Sequence, residues 1–216
     1  MKVVITGSSN GIGRAATEIF LSHGHEVYGL DLVETDITHD NYTHCICDVG
    51  QKHTLPNIED VEILINNAGS QNEVDDIRTN LYGVINCTEM YGLQPNMKSI
   101  LNLASVSAHN GAEFSHYVAS KGGVLSYTVW TAKEIASYGS TCNSISFGGV
   151  YTNMNYNIMV NPNKMDKVLD MTPLKKWMSA DEAGEWIYFL TIINKSCTGQ
   201  DIIVDNGEFY NHKFVW

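Results

Sequence analysis

The sequence predicts an α/β fold: one doubly wound domain over residues 1–216, with a seven-stranded parallel sheet and helices on both faces. Two features carry that expectation. Short β-branched runs alternate with segments of helical period, the pattern of parallel strands joined by covering helices. A glycine cluster, Gly7 to Gly13, falls where the first strand turns into the first helix.

The expected strands are Val3–Thr6, Val27–Asp31, His44–Asp48, Ile63–Asn66, Ser99–Leu103, Cys142–Phe147 and Ile202–Asp205. Between the first two, Ile12, Ala15, Ala16, Ile19 and Phe20 make one apolar stripe, and Gly24 ends the helix. Ile77, Leu81, Val84 and Ile85 repeat that spacing before the fifth strand. A long helix is expected from Val118 to about Tyr138. Ser179-Ala180-Asp181-Glu182 reads as a capping box, opening a helix with Ala183, Trp186, Ile187 and Leu190 on one face. Two crossovers are thin. Leu32–Thr43 has no helical period and Pro56 interrupts Val49–Glu62, so each is expected to hold a turn or a loop where such folds usually place a helix. Residues 151–177, rich in Asn and Met, read as a long irregular stretch, and such loops are usually lids or substrate-binding segments.

Composition narrows the function classes. The chain has 44% hydrophobic and 17% charged residues, the balance of a globular domain rather than a disordered one. A net charge of −11 argues against non-specific binding to nucleic acid or to an anionic membrane. No uncharged apolar run reaches the ~18 residues of a membrane span. The sequence opens directly on a strand, MKVVITG, without the apolar core of a signal peptide, which gives a cytoplasmic expectation. Cys45, Cys47, Cys87, Cys142 and Cys197 form no CxxC pair and read as reduced core thiols. A metal site at His44, Cys45 and Cys47 is disfavoured, because successive residues of a strand face opposite ways; no metal is expected.

The chemistry is expected around Tyr117-Val118-Ala119-Ser120-Lys121. On a helix, four residues make slightly more than one turn, so the Tyr117 hydroxyl and the Lys121 ammonium share a face. A cation beside a phenol favours phenolate, and a tyrosine tuned that way exchanges a proton with an alcohol or carbonyl oxygen near neutral pH. In Thr6-Gly7-Ser8-Ser9-Asn10-Gly11-Ile12-Gly13, Gly7 permits the turn, Gly11 lets a pyrophosphate approach and Gly13 allows helix–strand packing. The freed N–H groups and the helix dipole then favour an anion.

With these motifs in order, the chain resembles the classical short-chain dehydrogenase/reductase family over nearly its whole length. TGSSNGIG is similar to that family's TGxxxGxG loop and Asn66-Asn67-Ala68-Gly69 to its NNAG motif. Asn80, Ser105, Tyr117 and Lys121 fall where the family keeps its Asn-Ser-Tyr-Lys tetrad. Asn143 to Thr152 resembles the segment that receives the nicotinamide, and Gly199 to Gly207 the terminal strand signature, with Asn206 where glycine is commoner. The resemblance implies a Rossmann-like fold and a nicotinamide cofactor held by Gly7, Ser9, Asn10, Gly11, Ile12, Gly13, Asp31, Leu32, Asp48, Val49, Asn67, Ala68, Gly69, Tyr117, Lys121, Gly148, Val150 and Thr152. It also implies the tetrad roles. Tyr117 exchanges the proton, Lys121 lowers its pKa and holds the nicotinamide ribose, Ser105 bonds the substrate oxygen, and Asn80 anchors a water beside Lys121. Ser107 is the alternative to Ser105. One departure stands out: Phe147 replaces the proline usual before Gly148, which leaves that loop less constrained.

Asp31, at the end of the second strand, can accept from both adenosine ribose hydroxyls and would repel a 2′-phosphate, favouring NAD over NADP; a plain strand-end aspartate is the alternative. Asp48 resembles the family's adenine-contacting aspartate, with a solvated turn as its alternative. The leading expectation is an NAD-dependent dehydrogenase interconverting a secondary alcohol and a ketone. A dinucleotide sensor without catalysis is the rival, and a 3-oxoacyl thioester reductase a further alternative. Hydroxysteroids, acyl thioesters and polyols all remain open as substrates. His109, Glu113 and His116 are expected near the pocket mouth, in a solvated loop. Trp177, Trp186 and Trp216 read as packing residues. Met154, Met159, Met165 and Met171 either adapt to apolar ligands or fill the irregular segment. The apolar tail Glu208–Trp216 and the family habit suggest a homotetramer or a homodimer.

Overall fold

The computed structural model describes residues 1–211 of the chain. Seven strands, β1 (Lys2–Thr6), β2 (Glu26–Asp31), β3 (Tyr42–Ile46), β4 (Ile63–Asn66), β5 (Ser99–Leu103), β6 (Thr141–Phe147) and β7 (Asp201–Val204), form one parallel sheet in the order β3-β2-β1-β4-β5-β6-β7. The order reverses at β1, between β2 and β4. A doubly wound sheet opens a crevice at that point, above the carboxyl ends of its strands.

Alternate residues of each strand feed two cores. Val3 and Ile5 of β1 pack under helices α1 (Gly11–Ser22) and α7 (Ala180–Tyr188), through Ala16, Phe20, Ala183 and Ile187. Val4, Leu64 and Ile100 face the other way, against Cys87 and Tyr91 and against Ala132 and Ile135. Cys87 and Tyr91 belong to a helix with an α-helical centre, α2 (Gly83–Cys87), and π-helical turns on either side, Ile77–Tyr82 and Thr88–Gly92. The central strands β1, β4 and β5 are mostly apolar because both faces are covered, whereas β6 buries Asn143, Ser144 and Ser146.

The expected strand positions hold within a residue or so except for the third. It runs Tyr42–Ile46 rather than His44–Asp48. Tyr42 pairs with Val27, and its hydroxyl meets Ser8 Oγ at 3.2 Å, so this aromatic side chain anchors the strand start. Asp48 lies beyond the ladder, its N–H on Thr54 Oγ1 at 3.0 Å. Leu32–Thr43 carries no helix and Val49–Glu62 only the short turn Lys52–Thr54, as the sequence suggests. The long helix, α4, starts three residues early, at Ser115, runs to Glu134 and ends in a 3₁₀ turn, Ile135–Tyr138; α3 (Ser107–Asn110) precedes it.

The capping box forms as read: Glu182 N–H donates to Ser179 Oγ at 3.1 Å and Ser179 N–H to Glu182 Oε2 at 2.9 Å. Ala183, Ile187 and Leu190 are buried below it, but Trp186 turns outward against Phe189. The stretch read as irregular contains ordered structure. It holds a 3₁₀ turn, Asn153–Asn155, and two helices, α5 (Tyr156–Met159) and α6 (Pro162–Met171). Asn161 caps α6 through Lys164 N–H, with Pro162 in the first turn, where its missing N–H costs nothing. Phe147 also departs from expectation: it is buried at the end of β6 and paired with Val204, so ladder bonds fix the loop that follows.

A buried polar relay ties the strand ends to the helices. Asn66 Nδ2 donates to Asn102 Oδ1 at 2.8 Å, and Asn102 Nδ2 to Thr128 Oγ1 on α4 at 2.9 Å. Removing the middle member costs each partner one buried bond while Asn66 keeps Thr88 and Thr128 keeps the Val124 carbonyl, so Asn102→Ala is expected to lower stability by about 1–3 kcal/mol in urea titrations, with the slope unchanged.

Candidate active site

The glycine-rich turn is fixed from two sides. Gly7 has a left-handed φ of 68°, and a Cβ on Gly13 would collide with the Gly7 carbonyl oxygen, so α1 can start this close to β1 only with glycine there. From β4, Asn67 Nδ2 donates to the carbonyls of Thr6 (2.8 Å) and Gly7 (3.1 Å). Thr6 Oγ1 in turn accepts the N–H groups of Asn67 (3.0 Å) and Ala68 (2.9 Å). The two motifs are thus one clamp across the switch point.

Above the clamp lies a cleft of ≈ 840 Å³. Nearly every site residue expected from the sequence lines it: Gly7, Asn10, Gly11, Ile12, Asp31, Leu32, Asp48, Val49, Asn67, Ala68, Gly69, Ser105, Tyr117, Lys121, Gly148, Val150 and Thr152. Ser9, Gly13 and Asn80 stand behind the wall. Ser9 N–H donates to Asp31 Oδ2 at 2.9 Å and Ser9 Oγ to the Val33 carbonyl at 3.1 Å, which aims the Asp31 carboxylate along the end of β2. Thr152 closes over Gly11, leaving 3.3 Å to the point a Cβ would occupy. Asp48 reaches the rim with its oxygens engaged by Gly50 N–H, Gln51 and Arg78. Burial works to raise its pKa, but those hydrogen bonds outweigh burial and hold the carboxyl below its usual range.

The tetrad residues converge at the other end. Tyr117 is on the first turns of α4 and Ser105 just past β5. Ser105 Oγ meets Ser107 Oγ at 3.0 Å and accepts Ser107 N–H at 3.2 Å; Ser105 lines the cleft and Ser107 sits behind it. Asn80 is fully buried in the π-helical turn Ile77–Tyr82, a distortion common at functional sites. Its Nδ2 donates to the Ser70 carbonyl (3.0 Å) and to Ser120 Oγ (3.1 Å), and its Oδ1 accepts Ser70 N–H (2.7 Å).

Tyr117 and Lys121 share a helix face, but their electrostatics differ from expectation. Lys121 Nζ lies 5.7 Å from the centre of the Tyr117 ring and donates to the Leu103 carbonyl at 2.8 Å. Burial pushes the Tyr117 phenol up to about 12, with the Glu113 charge adding to it and the Ser105 hydroxyl opposing. Burial likewise depresses Lys121 from 10.5 to about 8, against the pull of Asp76 and Glu113. Desolvation dominates both groups, and the phenol lies above its usual value rather than below it.

Other expectations are revised here. Glu113 lines the cleft, but His109 does not: its Nε2 meets Asp201 Oδ2 at 2.8 Å on the outer strand β7. His116 Nδ1 meets the Glu73 carbonyl at 2.6 Å. Of the four methionines only Met154 reaches the cleft, beside Ile158 and Val168. Trp177, read as packing, is a cleft wall. Glu208 is a cleft residue that the sequence reading assigned to an apolar tail; His212–Trp216 lie outside the described residues. Among the described residues no group of three His, Cys, Asp or Glu could hold a metal, and all five cysteines are free. No helix among them is long and apolar enough to cross a membrane.

Residues 7–208 match the family model described as enoyl-(acyl carrier protein) reductase. The chain belongs to the short-chain dehydrogenase/reductase family. Among relatives of this family, the 3-oxoacyl-[acyl-carrier-protein] reductase of Staphylococcus epidermidis is 33% identical over 174 aligned positions, 73% of this chain and 70% of that one. The enzyme of the same name from Thermotoga maritima is 29% identical, covering 94% and 96%. A 4-hydroxyisoleucine dehydrogenase mutant solved with NADH and succinate has the same short-chain dehydrogenase/reductase fold, with a TM-score of 0.90 at 23% identity over 96% of this chain and 98% of that one.

A charged lysine held in this interior costs stability. Lys121→Met is expected to stabilise the protein at pH 7, by at most roughly 3 kcal/mol before the lost bond to Leu103 is counted. The folded-state pKa, about 8, lies below the ordinary 10.5, so the wild type gains stability as pH rises from about 8 to 10.5 and the difference narrows across that window. Thermal melts over a pH series read it directly.

Proposed function

We propose that this chain is an NAD-dependent oxidoreductase that interconverts a secondary alcohol and a ketone, with Tyr117 as the proton donor and acceptor. The observation that supports it most is the meeting of Tyr117, Ser105 and Lys121 at one end of a cleft whose other end is the glycine-rich turn. The cleft suits a dinucleotide in its elements: the glycine-rich turn, with Gly7 and Gly11 at positive φ, leads from β1 into the N-terminus of α1, where the helix dipole favours the charge of a pyrophosphate. Asp31, steered by Ser9, is the acceptor for the adenosine ribose hydroxyls, and Leu32 beside it supplies no cation for a 2′-phosphate.

When bound, the nicotinamide supplies the hydride acceptor and, in its oxidised form, a positive charge that opposes the desolvation of the phenol. The protein's own groups do the rest. Ser105 Oγ, oriented by Ser107, holds the substrate oxygen beside the Tyr117 hydroxyl. Tyr117 takes the alcohol proton as the carbonyl forms and returns it in reduction. Lys121, released from the Leu103 carbonyl, holds the nicotinamide ribose, and Asn80 fixes the backbone behind it through Ser70 and Ser120. Residues 151–177, which contain α5 and α6, serve as the lid.

The names of the acyl-carrier-protein reductases among its relatives favour a second reading, reduction of a 3-oxoacyl thioester. A third, a dinucleotide sensor, predicts binding without turnover.

Absorbance at 340 nm with a panel of secondary alcohols and 3-oxoacyl thioesters separates the three. Tyr117→Phe is expected to cut kcat by about 10²–10⁴-fold while NAD binding by calorimetry stays within a few-fold. Wild-type protein that binds NAD and turns over neither class would sustain the sensor. Asp31→Ala is expected to weaken NAD and to improve kcat/KM with NADP; preference for NADP in the wild type would remove the role given to Asp31.

A further inference from the structure

Resting on the reading of this cleft as an oxidoreductase site, we propose that Asp76 is a positioning residue for the reaction, a buried carboxylate that holds Ser70 against Asn80 and whose negative charge acts on the Lys121 ammonium. The argument starts from burial. Asp76 is 0% exposed, at the residue just before the π-helical turn Ile77–Tyr82. Its neighbour Asp75 pairs with Arg78 at 3.0 Å. Among the described residues Asp76 has no such partner, and its hydrogen bonds come from neutral groups. Oδ1 accepts the Ser70 hydroxyl at 2.8 Å and Asn72 N–H at 3.0 Å, and Oδ2 accepts Glu73 N–H at 3.1 Å. A neutral asparagine or serine can close the same N–H groups without the cost of a buried charge, so the charge itself calls for a role.

The loop that Asp76 closes reaches the reacting residues from two sides. On one side, Ser70 N–H donates to Asn80 Oδ1 at 2.7 Å and the Ser70 carbonyl accepts Asn80 Nδ2 at 3.0 Å. With its hydroxyl on Asp76, Ser70 is held between two side chains of one stretch of chain. Asn80 Nδ2 also donates to Ser120 Oγ at 3.1 Å, and that hydroxyl donates to the Tyr117 carbonyl at 2.7 Å. On the other side, the Glu73 carbonyl meets His116 Nδ1 and Gln71 Nε2 meets Glu113, both just before Tyr117 in the chain. Glu73 has a left-handed φ of 61°, rare for a residue with a side chain, and Asp76 accepts its N–H there.

Charge is the second observation. A Cβ on Gly69 would stand 3.2 Å from Asn80 Oδ1 and 3.7 Å from Lys121 Nζ, so the ammonium lies against the segment that Asp76 closes. Burial is the largest influence on Lys121 and Tyr117; of the charges acting on them, Asp76 and Glu113 raise both groups. Glu113 is exposed, where solvent and salt screen it, and Asp76 is not. The other charged or titratable groups of this loop and of the start of α4, Glu73, Asp75, Arg78 and His116, lie at least partly in solvent. Desolvation favours the neutral amine, which holds a ribose hydroxyl or a phenolate less well than the ammonium does. The Asp76 charge opposes that loss from a place water does not reach.

The test compares Asp76→Asn and Ser70→Ala with the wild type across a pH series. One readout is kcat/KM with NAD for the fastest substrate among 2-butanol, sorbitol and 3-hydroxybutyryl-CoA; the other is NADH binding by fluorescence without substrate. Asparagine has the shape of aspartate without its charge. Removing a negative charge lowers the pKa of a phenol and of an ammonium alike, so both limbs of the kcat/KM profile are expected to move to lower pH by about 0.5–1 pH unit, and the alkaline loss of NADH binding with them. Ser70→Ala keeps the charge and cuts the link to Asn80, and is expected to lower kcat by about 3–10-fold with both limbs unmoved. Unmoved limbs in a folded Asp76→Asn overturn the proposal and leave the reaction class intact. Ser70→Ala within about twofold of the wild-type kcat also overturns it, and decides the matter if Asp76→Asn does not fold. A shifted NADH profile without turnover of any of the three substrates supports the proposal and counts against the reaction class instead.

Discussion

The contact on which the molecule turns is the one between Gly13 and Gly7, locked from the neighbouring strand by Asn67. It joins the end of β1, the start of α1 and the end of β4 into one rigid corner at the place where the sheet reverses its winding. A groove for an extended ligand needs its floor to be backbone, since side chains would fill it. The corner supplies that floor, and the walls hang from it: Asp31 through Ser9, Ser70 and Asn80 through the segment after Asn67, and Thr152 across from Gly11.

At the opposite end the governing quantity is desolvation. Three groups there, Tyr117, Lys121 and Glu208, are each displaced toward their uncharged form by burial. Structural ion pairs lie elsewhere, on the rim and the surface: Arg78 with Asp48 and Asp75, Arg14 with Glu18 and Asp36, Lys98 with Glu62. The interior of the cleft is kept clear of them.

Sequence reasoning reached the sheet, its seven strands and the glycine-rich turn because these depend on local signals, apolar runs and glycines at a strand–helix junction; the bonds by which Asn67 and Thr6 clamp that turn are long-range and were not legible. It reached less where the decisive interaction is distant in the chain. Tyr42 starts β3 because its hydroxyl meets Ser8, a partner that no local pattern announces. His109, on α3, meets Asp201 on the outer strand, and Trp177 packs on Gly149, partners far away in the chain. Glu208 sits among apolar residues in the sequence, and only the Asp205 turn aims it inward. The electrostatic miss at Tyr117 has the same root, since burial is a property of the packed fold and the four-residue spacing is not. One signal was available and unused: Asn161-Pro162 is a helix start, and it opens α6 inside the stretch read as irregular.

The pairing of Phe147 with Val204 bears on the order in which the molecule can be made. In place of a ring that would fix the backbone by covalent geometry, the loop at Gly148 is held by a ladder to β7, a strand far downstream. The dinucleotide corner needs only β1, α1, β2 and β4, all early in the chain. The wall beside Tyr117 cannot exist until β7 has docked and the Asp205 turn has closed behind it. Long-range pairings of this kind form late, because their loop-closure entropy must be overcome first. A nascent chain of this protein thus completes its glycine-rich corner well before the wall beside Tyr117.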